Sequence, residues 1–303
     1  MLDILFLGTG ASIPSRNRGM PCIAVRSGTE TVLFDCGEGT QRQMMISPFS
    51  FMKVKGIFIT HMHGDHFLVL PGLLQTMGLS GRKEKLTVCG PEGLSDCLSA
   101  VLSACEGDIG YELEINEVSH GDEVKFSGFT ISAFRTDHSV PSFGYRLSEK
   151  DSEGKFDRKK AADLGLRPGP DFSKLQDGKS VGGVTPEMVI GPPRPGCILV
   201  YSGDTSPCRE LSEAAAGADV LIHESTFSGN ESKLAAEHKH STWMQAAETA
   251  KDCGCKVLFL IHISNRYENK KLIEEEAKSI FENPIVPSDM DLYRVSKNSI
   301  RLA

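Results

Sequence analysis

No stretch of this chain approaches the roughly 18 consecutive apolar residues that a membrane-spanning helix needs, so no span is expected. The amino terminus lacks a basic segment followed by an apolar run, and no signal peptide is expected either. Basic residues are in deficit, 33 against 40 acidic ones, for a formal net charge of -7. That balance excludes a uniformly basic surface of the kind that grips phosphate backbones. The nine cysteines are odd in number and form no CxxC pair. Cys253 and Cys255 stand too close to favour a mutual disulfide, and the set reads as reduced thiols in a cytoplasmic protein. Gly8-Thr9-Gly10 has neither the third glycine nor the lysine of a P-loop, which leaves a tight strand-ending turn. What remains is an ordinary globular composition over 303 residues, long enough for a large core.

The informative segment is Thr60-His61-Met62-His63-Gly64-Asp65-His66, directly after the apolar run Lys55-Gly56-Ile57-Phe58-Ile59. Imidazole nitrogen and carboxylate oxygen are ligands that a borderline divalent ion such as zinc prefers. His61 and His63, two apart at a strand end, can point the same way, while Asp65 and His66 round the bend toward a second ion. Further donors follow three other predicted strands. His138 comes after Phe129–Phe134, Asp204 after Cys197–Tyr201, and His262 after Lys256–Ile261. All stand just past the carboxyl end of a strand, where open α/β sheets place their sites.

HxHxDH followed by well-spaced His, Asp and His resembles the metallo-β-lactamase superfamily. Narrower strings resemble its ribonuclease Z family: Phe34-Asp35-Cys36-Gly37-Glu38-Gly39-Thr40-Gln41, Leu70-Pro71-Gly72-Leu73, Phe143-Gly144-Tyr145, His223-Glu224-Ser225-Thr226-Phe227, His240-Ser241-Thr242 and His262-Ile263-Ser264-Asn265-Arg266-Tyr267. The resemblance implies an α/β fold, the αββα sandwich of the superfamily, as one domain over residues 1–303. It implies two zinc ions per chain, with other divalent ions such as Mn2+ an alternative. His61, His63 and His138 would hold one, Asp65, His66 and His262 the other, and Asp204 would bridge them. Two such ions can share a water and lower its pKa, with Asp65 as its proton acceptor. His240, oriented by Glu224, is the expected acid for the leaving 3′ oxygen. The implied substrate is precursor tRNA, cut to leave a 3′-OH on the tRNA and a 5′-phosphate on the trailer, by a homodimer. The alternative is a hydrolase of small esters, thioesters or phosphodiesters on the same fold.

Residues 149–195 differ in texture from both flanks, being rich in Lys, Asp, Gly and Pro without sustained apolar periodicity. A loop this long inside a compact domain is usually functional or disordered. This one resembles the inserted flexible arm by which the family holds the tRNA away from the active site. Local basic groups stand at Arg16 and Arg18, at Arg82, Lys83 and Lys85, and at Lys155, Arg158, Lys159 and Lys160. Helices are expected near Leu68–Leu79, Gly93–Cys105, Thr242–Cys253 and Asn269–Phe281. Met44, Met45 and Phe49 read as core residues, His120 as exposed, and Cys36 as a small buried filler. Asp35 is placed to orient a ligand imidazole, as ligating histidines usually require.

Overall fold

A computed structural model describes residues 1–105, 109–297 and 299–303. In chain order the strands are β1 (Leu2–Gly8), β2 (Cys22–Ser27), β3 (Glu30–Phe34), β4 (Val54–Phe58), β5 (Leu86–Gly90), β6 (Leu113–Glu117), β7 (Glu123–Lys125) and β8 (Phe129–Arg135). They continue with β9 (Phe143–Glu149), β10 (Ile198–Tyr201), β11 (Val220–Glu224), β12 (Val257–Ile261), β13 (Pro284–Ile285), β14 (Leu292–Ser296) and β15 (Ser299–Leu302). Among the described residues they form two mixed sheets, ordered β15-β14-β1-β2-β3-β4-β5-β6 and β13-β12-β11-β10-β9-β8-β7. β3 to β6 run parallel, as do β10 to β13.

Strand periodicity decides how the layers stack. In β1, Leu2, Ile4 and Phe6 enter the core shared by the two sheets, while Leu5 and Leu7 face the helices outside. β12 behaves the same way, with Val257, Phe259 and Ile261 inward and Leu258 and Leu260 outward. Phe259 stands 4.9 Å from both the Phe6 and the Tyr293 rings, joining the sheets through aromatic contact. Leu70, Leu73, Leu74 and Met77 of helix Leu70–Leu79 cover the first sheet. Trp243, Ala246, Ala247 and Ala250 of helix Trp243–Asp252 cover the second. The result is four layers, αββα, with parallel strands pointing their carboxyl ends toward one rim.

The expected helices lie at Leu70–Leu79, Leu94–Ala104, Trp243–Asp252 and Lys270–Lys278, within a few residues of the sequence reading. Two residue assignments are corrected. Met45 is 50% exposed although it was read as core; on helix Thr40–Ile46 it is Met44 that faces inward. Arg82 was grouped with surface charge, yet it is only 2% exposed. Its guanidinium donates to the carbonyls of Glu84, Met52, Val54 and Lys85, closing a turn whose backbone acceptors have left water.

Lys150–Gly196 make a second compact unit, which corrects the reading of this stretch as a loop. It carries helices Arg158–Asp163, Pro170–Gln176 and Pro186–Val189. Ala161, Leu166, Phe172, Leu175, Val184 and Val189 form its own small core. Asp157 caps the first helix through the Lys160 amide. No helix here is long enough to show a 3.6-residue period, which is why the sequence hides them.

Arg82→Ala should lower stability by about 3 kcal/mol, because a hydrogen bond to a charged group contributes roughly 1.5–3 kcal/mol and several buried carbonyls lose theirs. Urea denaturation measures this, and cleavage per folded molecule should stay unchanged. A loss of activity without loss of stability would instead place Arg82 at the substrate.

Candidate metal centre

Four strand ends meet at the rim. After β4 the chain delivers His61 and His63, then the short helix Gly64–Phe67 carries Asp65 and His66. His138 follows β8, Asp204 follows β10, and His262 follows β12. Close backbone approach makes this meeting dependent on glycine at two positions. A Cβ on Gly37 would lie 2.0 Å from the Asp65 carbonyl oxygen. Gly203 has φ +60, and a Cβ there would meet the Thr60 side chain at 2.8 Å. Asp35 and His262 adopt left-handed backbone without being glycine (φ 60 and 54), a strain of order 1–3 kcal/mol that surrounding contacts must hold.

The donor atoms converge tightly. His63 Nδ1 lies 3.0 Å from His61 Nε2 and 3.3 Å from His138 Nε2. On the other side, His66 Nε2 lies 3.4 Å from His262 Nε2. Both His66 Nε2 and His262 Nε2 are 3.6 Å from Asp65 Oδ2. Asp204 Oδ2 stands between the groups, 3.3 Å from His66, 3.4 Å from His262 and 3.7 Å from His61. The seven expected donors therefore share one cluster, in two sets of three with a common carboxylate.

Outward hydrogen bonds decide which nitrogens face inward. His66 Nδ1 meets the buried Asp35 carboxylate at 2.8 Å, and His138 Nδ1 meets the Lys239 carbonyl at 2.9 Å. Both partners accept only, so both Nδ1 atoms carry a proton and both Nε2 atoms are the nitrogens turned toward the cluster. Asp35 is itself fixed by the amide and hydroxyl of Thr60 and by the Tyr201 hydroxyl at 2.6 Å. Burial pushes the His61 imidazole well below its ordinary pKa, with His66 adding to the effect, which favours the neutral, ligating form. Burial alone would raise the Asp204 carboxyl, but His262 and His66 hold it well below the carboxylate range. Inward lone pairs and ionised carboxylates at such spacing fit divalent cations, and hard–borderline N/O donors fit zinc or manganese.

Beside the cluster, His240 Nδ1 meets Glu224 Oε1 at 2.8 Å. The same carboxylate accepts from the amides of Thr205, Ser241 and Thr226. Helix Trp243–Asp252 starts on a Thr242–Gln245 capping box, which fixes the chain just after His240. Burial disfavours the His240 imidazolium, yet the Glu224 carboxylate outweighs it and raises the pKa to about 9. A cavity of about 420 Å³ opens over the cluster, lined by His63, Asp65, His138, Asp204, Phe227 and His240, with Asn265 and Arg266 at its edge.

Two family models match the chain: anti-Pycsar protein Apyc1 over residues 2–153 and the beta-lactamase superfamily domain over residues 172–263. The chain is 46% identical over 297 residues to ribonuclease Z of Methanosarcina mazei, spanning 96% of this chain and 97% of that protein. Ribonuclease Z of Bacillus licheniformis is 39% identical, spanning 98% of this chain and all of that protein.

The chain belongs to the ribonuclease Z family.

The crystal structure of human tRNase Z, short form, superposes with a TM-score of 0.72 at 28% identity, covering 97% of this chain and 99% of that one. Ribonuclease Z membership places the sandwich in the metallo-β-lactamase fold. The sequence reading located the donors and Asp35 but missed three of their supports. The Tyr201 hydroxyl, the Lys239 carbonyl and the Ser12 amide, which donates to Asp65 Oδ2 at 2.9 Å, come from segments with no motif of their own. His120 is exposed, as expected, and stands away from the cluster.

His63→Ala and His66→Ala should each lower bound metal from about two ions per chain, the count of a two-metal site, and abolish turnover while the fold persists. Atomic-emission analysis of the dialysed proteins, with circular dichroism for the fold, checks this. Full metal content and wild-type activity in either variant would sink the ligand assignment.

Proposed function

We propose that this chain is the endoribonuclease that removes the 3′ trailer from precursor tRNA, leaving a 3′-OH on the tRNA and a 5′-phosphate on the trailer. One observation carries the reading: a seven-donor cluster with a carboxylate-paired histidine at its edge, in a chain that matches ribonuclease Z relatives end to end. His61, His63 and His138 would hold one ion, Asp65, His66 and His262 the other, and Asp204 would bridge them. Two bound divalent ions, zinc in this reading, supply Lewis acidity and a water of lowered pKa at the scissile phosphorus. The remaining steps belong to the protein. Asp65 is the proton acceptor for the attacking water. His240 Nδ1 is held by Glu224, which leaves Nε2 as the nitrogen that gives its proton to the departing 3′ oxygen. The Glu224 charge favours that protonated form, and Thr205, Ser241 and Thr226 keep the carboxylate in place.

The Lys150–Gly196 unit is assigned to tRNA binding. A hydrolase of small esters would need no such module, and this separates the two readings. A homodimer is part of the same proposal. All nine cysteines are free thiols, in keeping with a cytoplasmic enzyme. Among the described residues no helix is long and apolar enough to cross a membrane.

The decisive experiment incubates the purified protein with a 3′-extended tRNA transcript and maps both product ends. The module can be removed cleanly because Glu149, which ends β9, is already hydrogen-bonded to Cys197, which directly precedes β10. Replacing residues 151–195 by a short Gly-Ser linker should leave hydrolysis of bis(p-nitrophenyl) phosphate nearly unchanged and severely weaken cleavage of precursor tRNA. Equal loss on both substrates would remove the tRNA-binding assignment.

His240→Ala should slow precursor cleavage by roughly 10² to 10⁴, the contribution of a positioned acid, with metal content unchanged. The defect should shrink on p-nitrophenyl esters, whose leaving group departs without protonation. An equal defect on both substrates would take His240 out of the proton transfer.

A further inference from the structure

Two of the donors meet a hydroxyl with their outer nitrogen: His61 Nδ1 lies 3.0 Å from Thr60 Oγ1, and His262 Nδ1 lies 2.7 Å from Thr226 Oγ1. A hydroxyl has a single proton to give. That proton is committed: Thr226 Oγ1 donates to Glu224 Oε2 at 2.8 Å, and a carboxylate only accepts. Thr226 must then accept from His262 Nδ1–H, which leaves Nε2 as the nitrogen facing His66, Asp65 and Asp204. All three partners are buried, Glu224 at 1% exposure, Thr226 at 5% and His262 at 2%, so no water competes for these bonds.

We propose that Thr226 is a positioning residue that fixes the tautomer of His262 and thereby sets metal affinity at the Asp65, His66 and His262 group. It also joins two parts of the site: one side chain bridges the carboxylate that orients His240 and the imidazole that faces the metal. The left-handed backbone at His262 gives the hydroxyl a second task, holding the ring of a residue whose main chain is strained. The proposal rests on His262 being a metal ligand.

Thr226→Val keeps the shape and removes the hydroxyl; Thr226→Ser keeps the hydroxyl. The full-length chain, stripped of metal with a chelator, is titrated with Zn2+ against a chromophoric competitor. Loss of an outer hydrogen bond to a ligand typically costs 10- to 100-fold in affinity, and Thr226→Val should weaken the weaker-binding of the two zinc equivalents by that factor. Thr226→Ser should restore it to within about threefold, well inside that range. Nitrogen-15 NMR of the zinc-loaded wild type should show His262 protonated at Nδ1. A merely structural threonine would lower the melting temperature in Thr226→Val without changing zinc affinity, and that result overturns the proposal. His262→Ala separates the two levels. If it loses an equivalent of zinc while Thr226→Val retains wild-type affinity, Thr226 has no positioning role. If His262→Ala itself keeps both equivalents, the ligand reading fails and the proposal with it.

Discussion

Lone pairs that face one another repel, and the rim of this sandwich is arranged so that they must. Five buried or half-buried imidazoles and two carboxylates direct ligand atoms into one small volume, with separations of 3.0–3.7 Å among the closest pairs. In an apolar interior such a cluster is expensive unless a cation fills it. What prevents relaxation is the ring of outward bonds. Asp35, the Lys239 carbonyl and Thr226 each hold an imidazole by its far nitrogen, so turning one of these three rings would break its bond. The layers beneath then serve a definite purpose. They bring four strand ends to one rim and bury Asp35 and Thr226 deeply enough that water cannot replace them.

Asp35 shows how far this reaches into the fold. It sits at the end of β3 in the first sheet, and its Oδ2 accepts from Tyr201 on β10 in the second. Phe34, one residue earlier, stacks on Tyr145 and packs against Tyr201 in the core between the sheets. The carboxylate that aims His66 is thus also a polar tie across an apolar interface. A buried charge is tolerated there because every hydrogen bond it can accept is supplied. In the proposed two-metal site, metal affinity and sheet-to-sheet registry would share one side chain, which would link the catalytic chemistry to the stability of the sandwich.

Such sharing also explains what the sequence could and could not reveal. TxHxHxDH was legible because its ligand types fall in one turn after an apolar strand, and His138, Asp204 and His262 because each ends a strand of clear period. Asp35 and Cys36 were legible through a local string. Thr226 was visible as part of that kind of string, but its task was not, since a hydroxyl becomes informative only when its two partners are known. Tyr201 and Lys239 contribute through a phenol reaching across sheets and a main-chain oxygen, and neither leaves a pattern along the chain. Arg82 misled for the same reason. One-dimensional proximity to Lys83 and Lys85 suggested a surface patch, whereas four carbonyls from two segments had drawn its guanidinium inside.

The net charge of -7 acquires a different meaning once charge is placed in space. Four of the acidic groups are buried inside the body. Asp35, Asp204 and Glu224 are buried against imidazoles and hydroxyls, and Asp219 accepts from Lys256 and Lys297. A bound pair of divalent ions would further offset the cluster, adding positive charge where a phosphate arrives. Within the Lys150–Gly196 unit, Asp157 caps a helix whose first turn presents Arg158, Lys159 and Lys160, so an acid fixes the geometry of a basic turn. These particular acidic residues hold donors and cations in position and do not set the potential of the outer surface. Total charge is therefore a poor guide to an RNA partner here, and the placement of the cations in space is the quantity that matters.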